Sequence, residues 1–334
     1  MLKFKSSSFH VLQAEYGDCI FISIQKEEAE YNILIDGGVP ITYFNPKNKR
    51  CKDGPLKQLV DELKYDKRCI DLLIVTHVDR DHVGGIEKWF SLDFPTSDFV
   101  REVWINDDFE LKDYTDLNNT SAQAASVIKK LRSKGIAYKN CIVKGQVFEN
   151  EYCKIRIIAP SPSYRNVVSY SIGKSLDNSS SPKELRSLLE LNQSDWEQSS
   201  LSPENKASIA FELESWDGVS MLLLGDAEFE DYMSGLNYFH TDTEKILNYD
   251  CVKLSHHGSK NNFSPDFLQR IYSKYYIVSS NGKYYHHPDK IVLAKILCNS
   301  NSTLGFNYED RVKELFSKRD YEDLPELSKR IVVI

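Results

Sequence analysis

Thr76-His77-Val78-Asp79-Arg80-Asp81-His82-Val83-Gly84-Gly85 directly follows Ile70–Val75, an apolar run that fits a strand buried on both faces. Two imidazoles and two carboxylates stand within six residues, from His77 to His82. Stability alone does not favour that density, because carboxylates at close range repel one another unless a cation sits between them. The alternative is a solvated acidic loop with incidental histidines. Gly84-Gly85 gives the backbone freedom to fold tightly and bring the side chains together, which favours a metal site.

Two later strand ends sharpen this reading. The apolar stretch from Met221 ends in Gly225-Asp226, placing a carboxylate at the C-terminal end of a strand, where ligands collect in α/β folds. Alone, it reads as a turn aspartate. Val252–Leu254 runs into Ser255-His256-His257-Gly258-Ser259, where adjacent histidines point different ways; a solvent-exposed pair is the plainer reading of that segment by itself. Three strand ends in succession, each carrying ligand-type residues, point jointly to a metal centre.

Around these motifs the 334-residue chain reads as a folded α/β protein. Hydrophobic residues make up 41% and charged residues 27%, with 19 Tyr and 16 Phe, which excludes a disordered chain. The net charge of −7 and the absence of a Lys/Arg-rich run exclude non-specific coating of duplex DNA. No apolar window is long enough to span a membrane, and Met1 to Ser8 are polar with no apolar run behind them, so neither membrane spanning nor secretion is expected. Seven widely spaced cysteines without a C-x-x-C pair are expected to be reduced thiols in a cytoplasmic protein.

Strands are expected at Phe9–Gln13, Cys19–Gln25, Tyr31–Ile35, Val103–Ile105, Cys141–Lys144, Lys154–Ile158, Ser208–Leu213, Ser220–Leu224, Cys251–Leu254 and Tyr275–Val278. Helical spacing marks Leu56–Leu63, Ile86–Phe90, Ser121–Lys134, Lys183–Leu191, Ser264–Tyr272 and Asp289–Leu297. Strands followed by β-α alternation, twice over, predict two mixed sheets packed together with helices outside. Residues 161–203 are rich in Ser, Asn and Gln, the composition of an inserted lid or of a surface excursion. The insertion has no His or Cys and no ligand-like carboxylate spacing, so it is expected to govern access without holding metal.

His77-Val78-Asp79-Arg80-Asp81-His82 resembles the H-x-[HD]-x-D-H signature of the metallo-β-lactamase fold superfamily. With Asp79 at the second position it is similar to two branches, the hydrolase domain of bacterial DNA-uptake channel proteins and the phosphorylcholine esterases. Leu34-Ile35-Asp36-Gly37-Gly38, Leu223-Leu224-Gly225-Asp226 and Lys253-Leu254-Ser255-His256-His257-Gly258-Ser259 match the remaining signatures in order, so the resemblance spans about Phe9 to Leu297. It implies an αββα sandwich, with residues 1–298 as the hydrolase domain and 299–334 as a C-terminal extension packing on it or on a partner. The extension holds an amphipathic stretch, Glu309–Arg319, and a terminal strand candidate, Ile331–Ile334.

The resemblance implies two divalent ions, Zn²⁺ or Mn²⁺, with His77 and Asp79 on the first, Asp81 and His82 on the second, and Asp226 bridging. His257 completes the second site, with His256 as the alternative ligand or near neighbour. The family's third-motif His is missing; Glu204-Asn205-Lys206-Ala207-Ser208 stands there, so Asn205 is the candidate ligand. Asp36 is a supporting acceptor behind the ligands or, equally, a turn residue. Two divalent ions against Asp79, Asp81 and Asp226 leave a net positive site suited to an anionic phosphodiester, attacked by a hydroxide that Asp81 orients. Gly282-Lys283-Tyr284-Tyr285-His286-His287-Pro288 is similar to the His-Pro loop of the DNA-uptake branch. His287 is placed there as proton donor and His286 as a phosphate contact, or the loop merely opens a helix. Lys260, Lys283, Arg165 and Lys174 are further phosphate-contact candidates.

Three functional readings follow. The first is a phosphodiesterase, either a nuclease preferring single strands or ends, or a small-molecule esterase. The second is a hydrolase of another ester or amide, and the third a non-catalytic subunit of a larger complex, docked through its C-terminal extension.

Overall fold

A computed structural model of the chain describes residues 1–106, 119–164, 184–196 and 203–334. The first sheet takes its seven strands in chain order: β1 (Leu2–Phe4), β2 (Ser7–Val11), β3 (Ile20–Lys26), β4 (Ala29–Ile35), β5 (Ile70–Val75), β6 (Val100–Ile105) and β7 (Ala137–Lys139). β1 to β4 form an antiparallel meander, and β4 to β7 run parallel. The second sheet repeats this plan with eight strands: β8 (Val147–Glu149), β9 (Cys153–Ala159), β10 (Ala210–Ser215), β11 (Ser220–Leu223), β12 (Leu247–Lys253), β13 (Ile271–Val278), β14 (Thr303–Phe306) and β15 (Ile331–Val333). β8 to β11 are antiparallel and β11 to β15 parallel.

Alternating burial along β2 and β9 shows why these segments are strands, since each sheet turns one side chain in two toward the other sheet. Phe9, Ile22, Ile33 and Ile74 of the first sheet meet Ile155, Phe211 and Leu223 of the second in a shared core. The outer faces are covered by helices. Leu59 and Leu63 of Pro55–Tyr65, Ile86 and Trp89 of Arg80–Leu92, and Ile128 of Asn119–Lys134 close the first. Tyr232 and Leu236 of Phe229–Phe239, and Leu293 and Ile296 of Lys290–Asn299, close the second. The layers are therefore α, β, β, α. Among the described residues, no helix is long and apolar enough to cross a membrane, and the cysteines form no disulfide.

Four segments differ from their sequence-based expectation. Residues 141–144 form no strand. They carry the chain from the edge of one sheet to the other, and Asn106 substitutes for a strand partner: its side chain accepts from Ile142 N and donates to Ile142 O, both at 2.7 Å. The helix expected over Ser264–Tyr272 is confined to Phe267–Arg270, because the branched and aromatic run from Ile271 pairs with β12 along its length. The helix expected from Ile86 begins at Arg80, with Asp79 as its N-cap. Gly84 and Gly85 therefore serve close packing, not a flexible loop: a Cβ on Gly85 would stand 1.9 Å from Gly37 O, and one on Gly84 2.7 Å from Pro40 Cδ. The helix expected over Lys183–Leu191 forms at Leu188–Asn192, where Ser187 and Glu190 make a capping box.

Within residues 161–203, the described part packs Leu188 and Leu191 into the second core. Lys183, Asn178-Ser179-Ser180-Ser181 and the phosphate-contact candidates Arg165 and Lys174 lie outside the described residues. The chain beyond residue 298 supplies β14 and β15 to the second sheet. Its amphipathic stretch divides into helices Glu309–Leu315 and Lys318–Asp323, with Ser317 capping the second.

Candidate metal centre

β4 leads to Asp36, β5 to Thr76-His77, β11 to Gly225-Asp226, and β12 to Ser255-His256-His257. These strand ends converge on Asp226, which is 2% exposed. Its Oδ2 lies 3.7 Å from His77 Nε2 and 3.6 Å from His256 Nε2, and its Oδ1 lies 3.5 Å from His82 Nε2. Asp81 Oδ2 lies 3.7 Å from His257 Nε2, and Asp79 Oδ2 lies 3.7 Å from His77 Nε2. These separations exceed a good hydrogen bond. They match ligand atoms sharing an ion, since two donors each ~2.1 Å from a tetrahedral centre stand ~3.4 Å apart.

Every imidazole is held from behind by its other nitrogen. His82 Nδ1 donates to Asp36 Oδ2 at 2.7 Å. Asp36 also accepts from Thr76 N at 2.8 Å and Thr76 Oγ1 at 2.7 Å. The Thr76 hydroxyl, having given its proton to Asp36, accepts from His77 Nδ1 at 3.1 Å. His257 Nδ1 donates to Ser279 O at 2.7 Å and His256 Nδ1 to Asn262 Oδ1 at 3.0 Å. With Nδ1 donating, each ring turns its Nε2 toward the carboxylates, the orientation that metal-binding histidines adopt, and a bound cation would displace the proton that the raised pKa of His82 and His257 keeps there without one. Among the described residues, Nε2 of His77, His82 and His257 and Oδ1 of Asp226 are buried without a hydrogen-bond partner. Such atoms carry a desolvation cost that a cation would remove. The donor set therefore fits a divalent metal.

The backbone is shaped for this convergence. His256 (φ 46°) and His257 (φ 56°) are consecutive left-handed residues, a conformation costly for side chains with a Cβ, and the turn aims the two rings apart with their planes 61° to one another. His256 N donates to Gly225 O at 2.8 Å, tying this turn to the one bearing Asp226. Asp226 N in turn donates to Ser208 Oγ at 3.0 Å.

Charge follows the geometry. Burial would push the histidines down, but Asp226 and Asp36 outweigh it at His82, which is held well above its ordinary value. The same contest, with Asp18 as the chief counterweight, raises His257 to about 9. At His256 burial wins and the ring falls to about 4, so it stays neutral with its Nε2 lone pair available. Asp226 is buried, yet the surrounding imidazoles hold its carboxyl well below the usual range.

The seven ligand-type residues His77, Asp79, Asp81, His82, Asp226, His256 and His257 thus lie together. Asn205 stands behind His256, its amide 3.1 Å from His256 Nδ1. His287 borders the cluster, its ring 5.1 Å from that of His256 and its Nδ1 3.6 Å from Asp289 Oδ2. His286 is exposed, and Arg311 grips its carbonyl. Lys260 is exposed and lines a cavity of about 390 Å³ with Arg186, Trp196, Asp289 and Lys290.

Sequence reasoning missed Asp18 and Lys253. Lys253 is 1% exposed and pairs with Asp18 Oδ2 at 2.7 Å, and Asp18 Oδ1 lies 3.4 Å from His257 Nδ1. Asp18, His82, Asp226 and His257 each offer a ligand atom within 4.8 Å of the others. A lysine inside a buried strand demands a partner, and that signal was present at Lys253. Asp18 followed a turn glycine and gave none.

The chain is 24% identical over 312 residues to ComE operon protein 3 of Bacillus subtilis, covering 89% of this chain and 32% of that protein. It thus spans about a third of that relative's length. A solved structure described as a possible metal-dependent hydrolase from Veillonella parvula matches with a TM-score of 0.44 at 12% identity, covering 98% of this chain and 96% of the other. YhfI of Bacillus subtilis, described as a metallo-beta-lactamase fold protein, matches at 0.40 and 10% identity, covering 97% and 95%. No family model matches the chain.

Proposed function

We propose that the chain, whose two mixed sheets and flanking helices form the αββα sandwich of the metallo-β-lactamase fold, is a metal-dependent phosphodiesterase of that superfamily. The observation that carries this reading is the set of buried, partnerless Nε2 atoms arranged around Asp226. Two groups of donors are assigned. His77, Asp79, Asp226 and His256 form the first; Asp81, His82, Asp226 and His257 form the second. His256 then supplies the imidazole that the missing third-motif His would give, its ring fixed by the hydrogen bond from Nδ1 to Asn262 Oδ1. Four imidazoles and three carboxylates are a donor mixture suited to Zn²⁺ or Mn²⁺.

Two such ions would supply Lewis-acid polarisation of a phosphoryl oxygen and lower the pKa of water. Their four positive charges against Asp79, Asp81 and Asp226 favour an anionic substrate. Asp81, in the first turn of its helix, would accept a hydrogen bond from the attacking water and orient it. His287, at the edge of the cluster, would donate a proton to the leaving oxygen. The resemblance of the His77–His82 motif and of the His-Pro loop to the DNA-uptake branch supports a nucleic-acid substrate, and the −7 net charge favours single strands or ends over long duplex.

Incubating the metal-loaded protein with bis-p-nitrophenyl phosphate and with linear, circular and single-stranded DNA and RNA tests this. Cleavage of a diester, abolished in Asp81→Asn and His82→Ala with the fold retained, is expected. Activity confined to β-lactams or thioesters, or full turnover in either variant, would reject it.

A further inference from the structure

A continuous line of aromatic rings runs from the metal cluster to the surface. His256, whose Nε2 faces Asp226, lies 5.1 Å from His287. His287 stacks with Tyr285 (6.2 Å, 22°), Tyr285 meets Tyr16 edge-on (5.6 Å, 81°), and Tyr16 stacks with Tyr284 (4.8 Å, 20°). None of the three tyrosines belongs to the core between the sheets or to those beneath the helices. Tyr284 remains 39% exposed despite its stacking on Tyr16.

The rings are held in place before any ligand arrives. Tyr16 belongs to the loop between β2 and β3, which sits so close to the Asp81 helix that a Cβ on Gly17 would stand 2.0 Å from Asp81 O. Tyr284 and Tyr285 belong to the loop after β13. Asn281 joins the two loops, donating from its backbone to Glu15 O at 2.8 Å and from its side chain to Glu15 Oε2 at 2.6 Å. Arg311 donates to the carbonyls of His286 and His287 and fixes the far side of the second loop. Ordered π-faces that stay partly exposed beside a phosphodiester site have the form of a stacking platform for bases.

We propose that Tyr16, Tyr284 and Tyr285 form a base-stacking platform that selects phosphodiesters bearing nucleobases, with the scissile phosphate at Asp226 and the neighbouring base on the tyrosines. The assignment rests on the phosphodiesterase reading and narrows its substrate class. Arg80, exposed beside Tyr16, and Lys283, exposed beside Tyr284, suit flanking phosphates and oppose a quaternary ammonium head group, the other ligand that aromatic rings favour.

The test is fluorescence anisotropy of a labelled oligothymidine of about twelve nucleotides with the full chain in EDTA, compared with an abasic strand of equal length and charge. The thymidine strand is expected to bind at least about tenfold more tightly. Tyr284→Ala should remove most of that difference while leaving the abasic strand unaffected, and Tyr284→Phe, which keeps the ring, should restore it. Equal binding of the two strands, no binding of either, or an unchanged preference in Tyr284→Ala would overturn the proposal. No turnover enters this measurement, so its failure is distinct from failure of the hydrolase reading, which the cleavage assays address separately.

Discussion

Asp36→Asn changes one oxygen to an amide nitrogen at a fully buried site, where the carboxylate accepts from Thr76 N, Thr76 Oγ1 and His82 Nδ1. The amide keeps one accepting oxygen. If that oxygen stays on Thr76 N, the new NH₂ faces His82 Nδ1, which can then only accept, and the imidazole proton moves to Nε2. That tautomer turns a proton, not a lone pair, toward Asp226. Loss of a partner that orients a metal-binding imidazole typically costs about 10- to 100-fold in metal affinity, equivalent to about 1.4–2.7 kcal/mol. Titration against a competing chelator reads this directly, and imidazole nitrogen shifts report the tautomer. The second donor group, which contains His82, should weaken by that factor, and the first by less. Affinity unchanged within about twofold, with Nδ1 of His82 still protonated, would refute this reasoning.

His256→Ala should lower metal content by about one equivalent relative to the parent, because the first donor group loses an imidazole; metal analysis after gel filtration checks this, and full retention would return Asn205 to the ligand position. Asp320→Asn should destabilise the fold by about 3–5 kcal/mol at neutral pH, since it breaks a buried pair with Lys290 at 2.7 Å. Asp320 is pushed up by burial, but Lys290 and backbone donors of Ser317 and Leu188 hold it below its ordinary value near 3.8. Its contribution is therefore fully present above that value and is lost as pH falls through the depressed one. Urea denaturation should show parent and variant converging only below about pH 3.8, and a gap that closes between pH 7 and 5 would contradict this.

The sandwich was legible because its two halves repeat one pattern, branched alternating strands followed by β-α units, and because the apolar run Ile70–Val75 leads straight into the His/Asp motif. Residues 141–144 were misread since branched residues that bridge two sheets resemble those that pair within one. Gly84-Gly85 was misread as freedom for a loop, when the reason for both glycines is contact with Gly37 and Pro40, which are more than forty residues away in sequence. The same limit explains Asp18. Its partners Lys253 and Ser279 reach it only through the packing of one sheet on the other. The division of labour between His256 and His257 also needed the structure, because two left-handed residues in succession set the directions of their rings.

Anomalous diffraction from crystals grown with Zn²⁺ or Mn²⁺, recorded on both sides of the metal edge, tests the metal centre most directly. Two peaks about 3.5–4 Å apart are expected, one among His77, Asp79, Asp226 and His256 and the other among Asp81, His82, Asp226 and His257. No peak at Asp226 in protein reconstituted with either ion would contradict the account.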